Sequence, residues 1–380
     1  LKVRTVAKDA QGRPKHHMYN SDAFWLTMWN LNILWGLGWP ELLDEFSACL
    51  VQTEHDGGRL PRGPAAGGYT GIMTGCPATS LITATWQKGL LTKVGAGTAY
   101  EAMKRSHRLQ LPGQVSVEPP RPGIAVQGAF EYWALAQMAE ELGRKDDAAS
   151  FQEWIDCWKQ FHDPESNLLK GRWVEANDWQ GTFGVSHDIP GLSTLMGGDD
   201  TLAEKLNQAF EEEAHAHFVF SYGRGKVSYA NQPGCSNAHV FSHVGRPWQS
   251  QYWVRRVSRQ AYGGTNPNMG YGGHDEDQGQ MGGVSALMKL GLFSLRGTCA
   301  QDPLYEITTP EFDEITIRLD PRYYSGKTFT IRTHNNTPDN IYIQKAALNG
   351  KPLKTFQFPH SEFAKGGTLE LWLGSEPNKK

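Results

Sequence analysis

The chain has 380 residues, with 37 lysines and arginines against 40 aspartates and glutamates, for a net charge of −3. That length admits two domains, one of them large, and the near-neutral balance leaves no basic footprint for nucleic acid or an anionic membrane. No apolar run reaches the roughly 20 residues that a membrane helix needs, and the longest, around Leu26 to Leu37, is interrupted by Asn30 and Asn32.

Five cysteines (Cys49, Cys76, Cys157, Cys235 and Cys299) are scattered and odd in number, which argues against a disulfide framework. The chain starts at Leu1 without an initiator methionine or a signal peptide, and is expected to be a processed or truncated piece. Thirteen Trp, 13 Tyr and 16 Phe exceed ordinary usage. Part of that is core, but aromatic faces also pack against the apolar C–H face of a pyranose.

In chain order, Ser21 to Leu37 reads as an inner helix and Pro40 to Val51 as a helix with proline in its first turn. Ala78 to Leu91, Thr98 to Leu109 and Val126 to Leu142 have helical periodicity. Asp146 to Phe161 reads as another helix, closed by a turn at Asp163-Pro164-Glu165. Weaker patterns follow at Ile189 to Met196, Leu202 to Glu212, Pro247 to Tyr262 and Gln278 to Leu292. Long glycine-rich loops separate these helices, as at Asp56 to Gly75, and loops of that length usually carry function. The pattern predicts a helical toroid over residues 1–297 whose loops line a cleft.

After Thr298 the period changes to two. Ile315 to Leu319, Thr328 to Arg332, Ile341 to Gln344 and Leu369 to Leu373 alternate, and Asn349-Gly350 is a hairpin turn. Residues 298–380 are expected to form a small β-sandwich, which makes the fold class α+β.

Three constellations carry chemistry. In the glycine-rich stretch Gly270 to Gly283, His274 precedes Asp275, Glu276 and Asp277. The plain reading is a helix cap before the apolar Val284 to Phe293. In the other reading, Asp275 and Asp277 share a water, one polarising and one orienting it. Such hard oxygens also suit calcium. The second constellation places Glu175 between Trp173 and Trp179, a setting that favours a protonated carboxyl. The third is Asn231 to His239, polar and rich in turns, in which His239 taken alone is a structural histidine. There is no phosphate loop, no Gly-x-Ser-x-Gly elbow and no His-Glu-x-x-His helix.

Taken together and in order, these segments resemble glycoside hydrolase family 92, calcium-dependent exo-acting α-mannosidases. Asp275 to Met281 resembles the family's Asp-x-Asp loop followed by Gly-Gln-Met, and Glu175 to Gln180 its Glu-Gly-Asn-x-Trp-Gln segment. His187 to Gly191 and Met196 to Gly198 resemble two further signatures, as do Gly326 to Ile331 and Leu348 to Pro352 among the C-terminal strands. The resemblance implies an (α/α)6-type toroid followed by a β-sandwich, and single-displacement, inverting hydrolysis of terminal α-mannosides. Glu175 is then the acid and Asp277, supported by Asp275, the base, roughly 6.5–9.5 Å from it. Calcium is implied as cofactor with Gln232 and Asp277 as ligands. Asp22, Trp179, Asn231, Gln232 and His239 are implied contacts to the sugar.

The chain also departs from the family. Ala230-Asn231-Gln232-Pro233 stands where the family has Gly-Asn-Glu-Pro, the segment up to His239 is longer, and the arginine expected after Asp22 is absent. An Asp-His pair is missing at Met73 to Ala78. A branched linkage or a mannosyl phosphodiester is thereby admitted as substrate. Family members carry an N-terminal β-sandwich, expected here as a missing domain or separate chain, and a secreted, periplasmic or cell-surface location follows. The runner-up is a carbohydrate-binding relative without turnover. A lyase or epimerase using Tyr271 or His274 is a third reading.

Overall fold

Pro40, Pro77, Pro122 and Pro247 each open a helix, where the N–H that proline lacks would have had no partner. The computed structural model describes residues 5–21, 23–65, 68–110, 121–264 and 276–379. Its helices begin with α1 (Leu31–Gly38), α2 (Pro40–Gly57), α3 (Pro77–Gln87), α4 (Ala96–Gln110) and α5 (Pro122–Glu141). Next come α6 (Lys145–Ser150), α7 (Gln152–Ile155), α8 (Asp178–Thr182), α9 (Ile189–Met196), α10 (Asp199–Glu213), α11 (Pro247–Ala261) and α12 (Gln280–Leu290). A last short helix, α13 (His360–Ala364), lies among the C-terminal strands. Helix α5 is buried on most sides and packs against α3, α4, α6 and α7.

Two expected helices are broken. In the expected helix from Ser21 to Leu37, Ala23 to Leu26 are not helical: Leu26 takes a left-handed φ of 58°, a 3-10 turn covers Thr27–Trp29, and α1 starts only after Asn30 caps Leu31 N–H at 2.6 Å. Asp146 to Phe161 divides into α6, α7 and a 3-10 turn at Cys157–Phe161. The breaks swing aromatic side chains of both segments into the core.

Two short ribbons cross the helical part, β1 (Pro64–Ala65) with β2 (Gly68–Tyr69) and β3 (His162–Asp163) with β4 (Leu168–Leu169). A three-stranded sheet places β6 (Leu304–Ile307) between β5 (Leu292–Phe293) and β11 (Gln357–Pro359). The larger sheet contains β7 (Glu314–Arg318), β8 (Thr328–His334), β9 (Tyr342–Leu348), β10 (Lys351–Pro352) and β12 (Gly367–Gly374), in the order β10-β9-β12-β8-β7. Within it β12 runs parallel to β8, with Leu371 beside Thr333, and antiparallel to β9. Asn349 and Gly350, at φ 51° and 76°, make the tight turn from β9 to β10. Strand β5 lies before residue 298, so one sheet extends across the boundary read from the sequence.

Strands and helices are cross-braced. Tyr323 donates to Asp44 at 3.0 Å, Tyr324 donates to the Gly36 carbonyl, and Arg322 pairs with Glu41 at 2.7 Å. The chain is a mixed helix and sheet protein in which the helices and their loops build the site.

Candidate active site

The acidic triplet splits by role. Glu276 accepts the backbone N–H groups of Gly279 and Gly282, the latter at 2.9 Å, and so caps the start of α12. Asp277 and Gln278 follow on left-handed backbone, at φ 47° and 59°. For residues with a Cβ this costs on the order of 1 kcal/mol or more each, and it persists only where the surroundings impose it. The surroundings here are the segment before α1. Ser21 Oγ donates to Gln278 Oε1 at 2.7 Å, the Trp25 indole N–H to Asp277 Oδ2 at 3.2 Å, and Asn30 Nδ2 to Gln280 Oε1 at 3.3 Å. Asp275, Asp22, Tyr271 and His274 lie outside the described residues.

Glu175 also has a left-handed backbone, at φ 53°. Immediately after it, Asn177 caps α8 by accepting the N–H groups of Trp179 and Gln180, while its amide donates to the carbonyls of Gly223 and Gly225. Gln180 donates to the carbonyls of Arg224 and Gly225. These bonds staple the 223–225 loop against the Glu175 turn. From the other side, Asn231 Nδ2 donates to Glu175 Oε2 at 2.7 Å, and Asn231 Oδ1 accepts Gln232 N–H at 2.8 Å. Gln232 is completely buried in a 3-10 turn with Pro233 and Gly234. The Cys235 thiol lies 3.9 Å from Met281 Sδ on α12 and links that turn to the helix behind Asp277.

A narrow cavity of about 40 Å³ runs along this edge, walled by Trp25, Met28, Trp29 and Trp173, with Val174, Ala176 and Pro233 at its Glu175 side. Gly181 makes room for the wall, because a Cβ there would stand 2.1 Å from the Trp173 ring. A second cavity, of about 270 Å³, is lined by Asp277 and Gln278 together with Tyr19, Phe24, Trp35 and Phe46. Trp25 joins the two: its side chain lines the first cavity and its N–H holds the carboxylate that lines the second.

The structure thus brings Glu175, Asn231 and Gln232 together on one edge and Asp277 on the other. Trp179 has its backbone N–H held by Asn177, and its ring carries two ammonium groups, Lys205 Nζ at 4.6 Å and Lys226 Nζ at 4.5 Å. His239 is buried and stacks on Phe293 at 3.7 Å, and burial pushes its imidazole down to about 3, so the ring is neutral at neutral pH. Sequence reasoning passed over the aromatic walls at Trp25, Trp29 and Trp35. Their closeness to Asp22 was the available signal.

An aromatic-walled cavity system with a carboxylate on each edge is the equipment of a glycoside hydrolase. The chain belongs to glycosyl hydrolase family 92: the model of that family's catalytic domain matches residues 4–375. An uncharacterized secreted glycosidase of Arthroderma benhamiae is 29% identical over 204 residues, which are 53% of this chain and 24% of that protein. Among solved structures, the family GH92 inverting mannosidase BT2199 of Bacteroides thetaiotaomicron VPI-5482 superposes with a TM-score of 0.82 at 26% identity, over 98% of this chain and 57% of that one. The family GH92 α-mannosidase BT3965 of the same species has the same fold, with a TM-score of 0.84 at 21% identity over 99% of this chain and 54% of its own. The chain therefore spans little more than half the length of these two structures and a quarter of the fungal relative. No helix among the described residues is long and apolar enough to cross a membrane.

Proposed function

We propose that the chain carries out inverting, exo-acting hydrolysis of terminal α-linked mannose. The observation that carries this reading is the pair of carboxylates, Glu175 and Asp277, both on left-handed backbone: Asp277 lines one aromatic cavity and accepts the Trp25 indole N–H, and Trp25 lines the other together with Val174 and Ala176, the two neighbours of Glu175. In the mechanism, Asp277 takes a proton from the water that attacks the anomeric carbon. Glu175 gives a proton to the departing oxygen, and the tryptophan walls exclude bulk water and seat the apolar face of the ring. Asp275 and Asp22 belong to the proposal as the partner of the base and a sugar-hydroxyl contact. Asn231, Gln232 and Trp179 belong to it as residues that shape the Glu175 edge.

The donors near the site fit calcium in kind. The Asp277 carboxylate and the Gln232 amide oxygen are hard oxygens, although among the described residues no group of three His, Cys, Asp or Glu side chains is arranged to hold a metal. When bound, calcium supplies a Lewis-acidic grip on adjacent sugar hydroxyls. Gln232 brings no charge to that grip, so weak affinity is expected. The reading also includes the toroid, the β-sandwich, the division at residues 297/298, a completing N-terminal domain and a secreted location, the last supported by the name of the fungal relative.

Terminal mannosides of glycans and mannosyl phosphodiesters are both kept as substrates, and the alternative is a binding protein without turnover. The Asn231 amide donates to Glu175 Oε2 at 2.7 Å and so fixes the orientation of the carboxyl that would meet either leaving group. Purified chain, paired with its completing N-terminal domain, should be offered α-linked mannobioses and a mannose-1-phosphodiester, with calcium and with chelator, while NMR follows the first anomer released. Calcium-dependent release of β-mannose is expected. No mannose from any of them, with binding retained, would replace the enzyme by the binding protein.

A further inference from the structure

Glu131 is a buried carboxyl that touches neither edge of the site. We infer that it is a positioning residue: it locks the cavity-wall residue Gln127 and the 71–76 loop into one unit, and that unit opens more readily as pH rises. The link to catalysis rests on the function proposed above, whereas the lock itself does not.

Gln127 and Glu131 stand one turn apart on α5, at 4% and 1% exposure, and Gln127 lines the cavity that runs past Glu175. The Gln127 amide is shared in two directions. Its Nε2 donates to Glu131 Oε1 at 3.0 Å and to the Thr74 carbonyl at 3.1 Å, while its Oε1 accepts from Thr74 Oγ1 at 2.5 Å. Glu131 Oε2 accepts the Cys76 N–H at 2.7 Å, where the loop enters α3. Every one of these bonds joins α5 to the loop or to the residue that does so.

The loop needs such a lock. Gly71, Met73 and Gly75 are left-handed, at φ 64°, 65° and 71°, and Met73 holds that conformation with a Cβ. At Gly75 a Cβ would lie 2.4 Å from Gln127 Nε2 and 2.6 Å from Glu131 Oε1, so the backbone is pressed onto both side chains. Arg62 completes the unit by donating to the Met73 carbonyl at 2.5 Å.

Among the described residues, the charged and titratable groups around Glu131 are few. From the segment before β1 comes the half-buried Arg62 guanidinium. From the loop comes the Cys76 thiol, which burial pushes up to about 12, and from α5 the Tyr132 hydroxyl, also raised by burial. Beyond Thr79 lies His107, pushed down to about 3 and neutral. Burial raises Glu131 to about 8 against the lowering effects of the Cys76 N–H, Gln127 and Arg62. An opened loop would let this carboxyl ionise as in water. Opening is therefore favoured progressively from the ordinary glutamate range up to about pH 8, by roughly tenfold per pH unit, and levels off above that.

The test is hydrogen–deuterium exchange of the 70–77 segment in the full chain from pH 5.5 to 8.5, corrected for intrinsic exchange, in wild type and Glu131→Gln. Wild type should show opening that grows about tenfold per pH unit to near pH 8, while Glu131→Gln, which keeps the shape and one of the two acceptor oxygens but cannot titrate, should be flat. The KM for an aryl α-mannoside should rise with pH in wild type more than in the variant, with kcat less affected. Equal slopes in both proteins, or a flat wild type, overturn the inference. A chain without turnover would fail the proposed function while the exchange measurement still decides the lock.

Discussion

Glu175 and Asp277 sit on the same kind of backbone, at φ 53° and 47°, but the contacts that impose it differ in range. Around Glu175 the turn is closed by Asn177 and Gln180 a few residues on, and by loops about 50 residues away at 223–225 and Asn231. Around Asp277 the partners are Ser21, Trp25 and Asn30, some 250 residues earlier. A locally closed edge keeps its geometry whenever its own turn forms. The Asp277 edge exists only when the first and last parts of the helical region have docked, so damage to either should erase it.

The largest effects separate the two carboxylates by chemistry. Asp277→Ala should lower kcat on every α-mannoside by about 10³-fold, because water activation is needed whatever leaves. Glu175→Gln should cost about the same on a mannobiose but less than about tenfold on a dinitrophenyl mannoside, whose leaving group needs no proton. Kinetics on the two substrates reads the difference. An equal loss on both would remove Glu175 from the role of acid.

Trp25→Phe tests the long-range edge with the ring kept and one donor removed. A single hydrogen bond to a carboxylate contributes about 1.5–3 kcal/mol, so kcat should fall roughly ten- to a hundredfold with little change in KM or in the far-ultraviolet circular dichroism. Asn177→Ala, by contrast, removes a cap and belongs to the local edge. If Trp25→Phe left kcat untouched, the indole would be a wall and nothing more.

The same contrast explains what could be read from the sequence. Proline-opened helices such as α3, α5 and α11, the cap-bounded α9 and the alternating strands β7, β8 and β12 carry their signals within a few residues, and they were legible to within a few positions. That the acidic stretch holds a helix cap was legible for the same reason. The small sheet of β5, β6 and β11 was not, since strands of two to four residues are too short to show a period. Nor was the break at Leu26, whose left-handed backbone answers to tertiary packing rather than to its own propensity. The Trp25–Asp277 bond spans 252 residues, and no local pattern encodes it.

The smallest effect probes what the remote edge stands on. Lys88, at the end of α3, is 6% exposed and donates to the Asn32 carbonyl of α1 at 2.8 Å and to Thr298 Oγ1 at 2.7 Å. Burial lowers it to about 7. Below pH 7 folded and unfolded chains both hold the proton, and the folded chain carries a buried charge. Between pH 7 and about 10 the unfolded chain keeps the proton that the folded one has released, so stability climbs with pH by at most about 1.4 kcal/mol per unit. Glu131 acts in the opposite sense below pH 8, so the informative quantity is the difference between wild type and Lys88→Met at each pH. Denaturant melts should show Lys88→Met gaining on wild type at pH 6 and losing that advantage by pH 9. Parallel curves would mean that α1, and with it the Trp25–Asp277 edge, does not rest on the neutral form of this lysine.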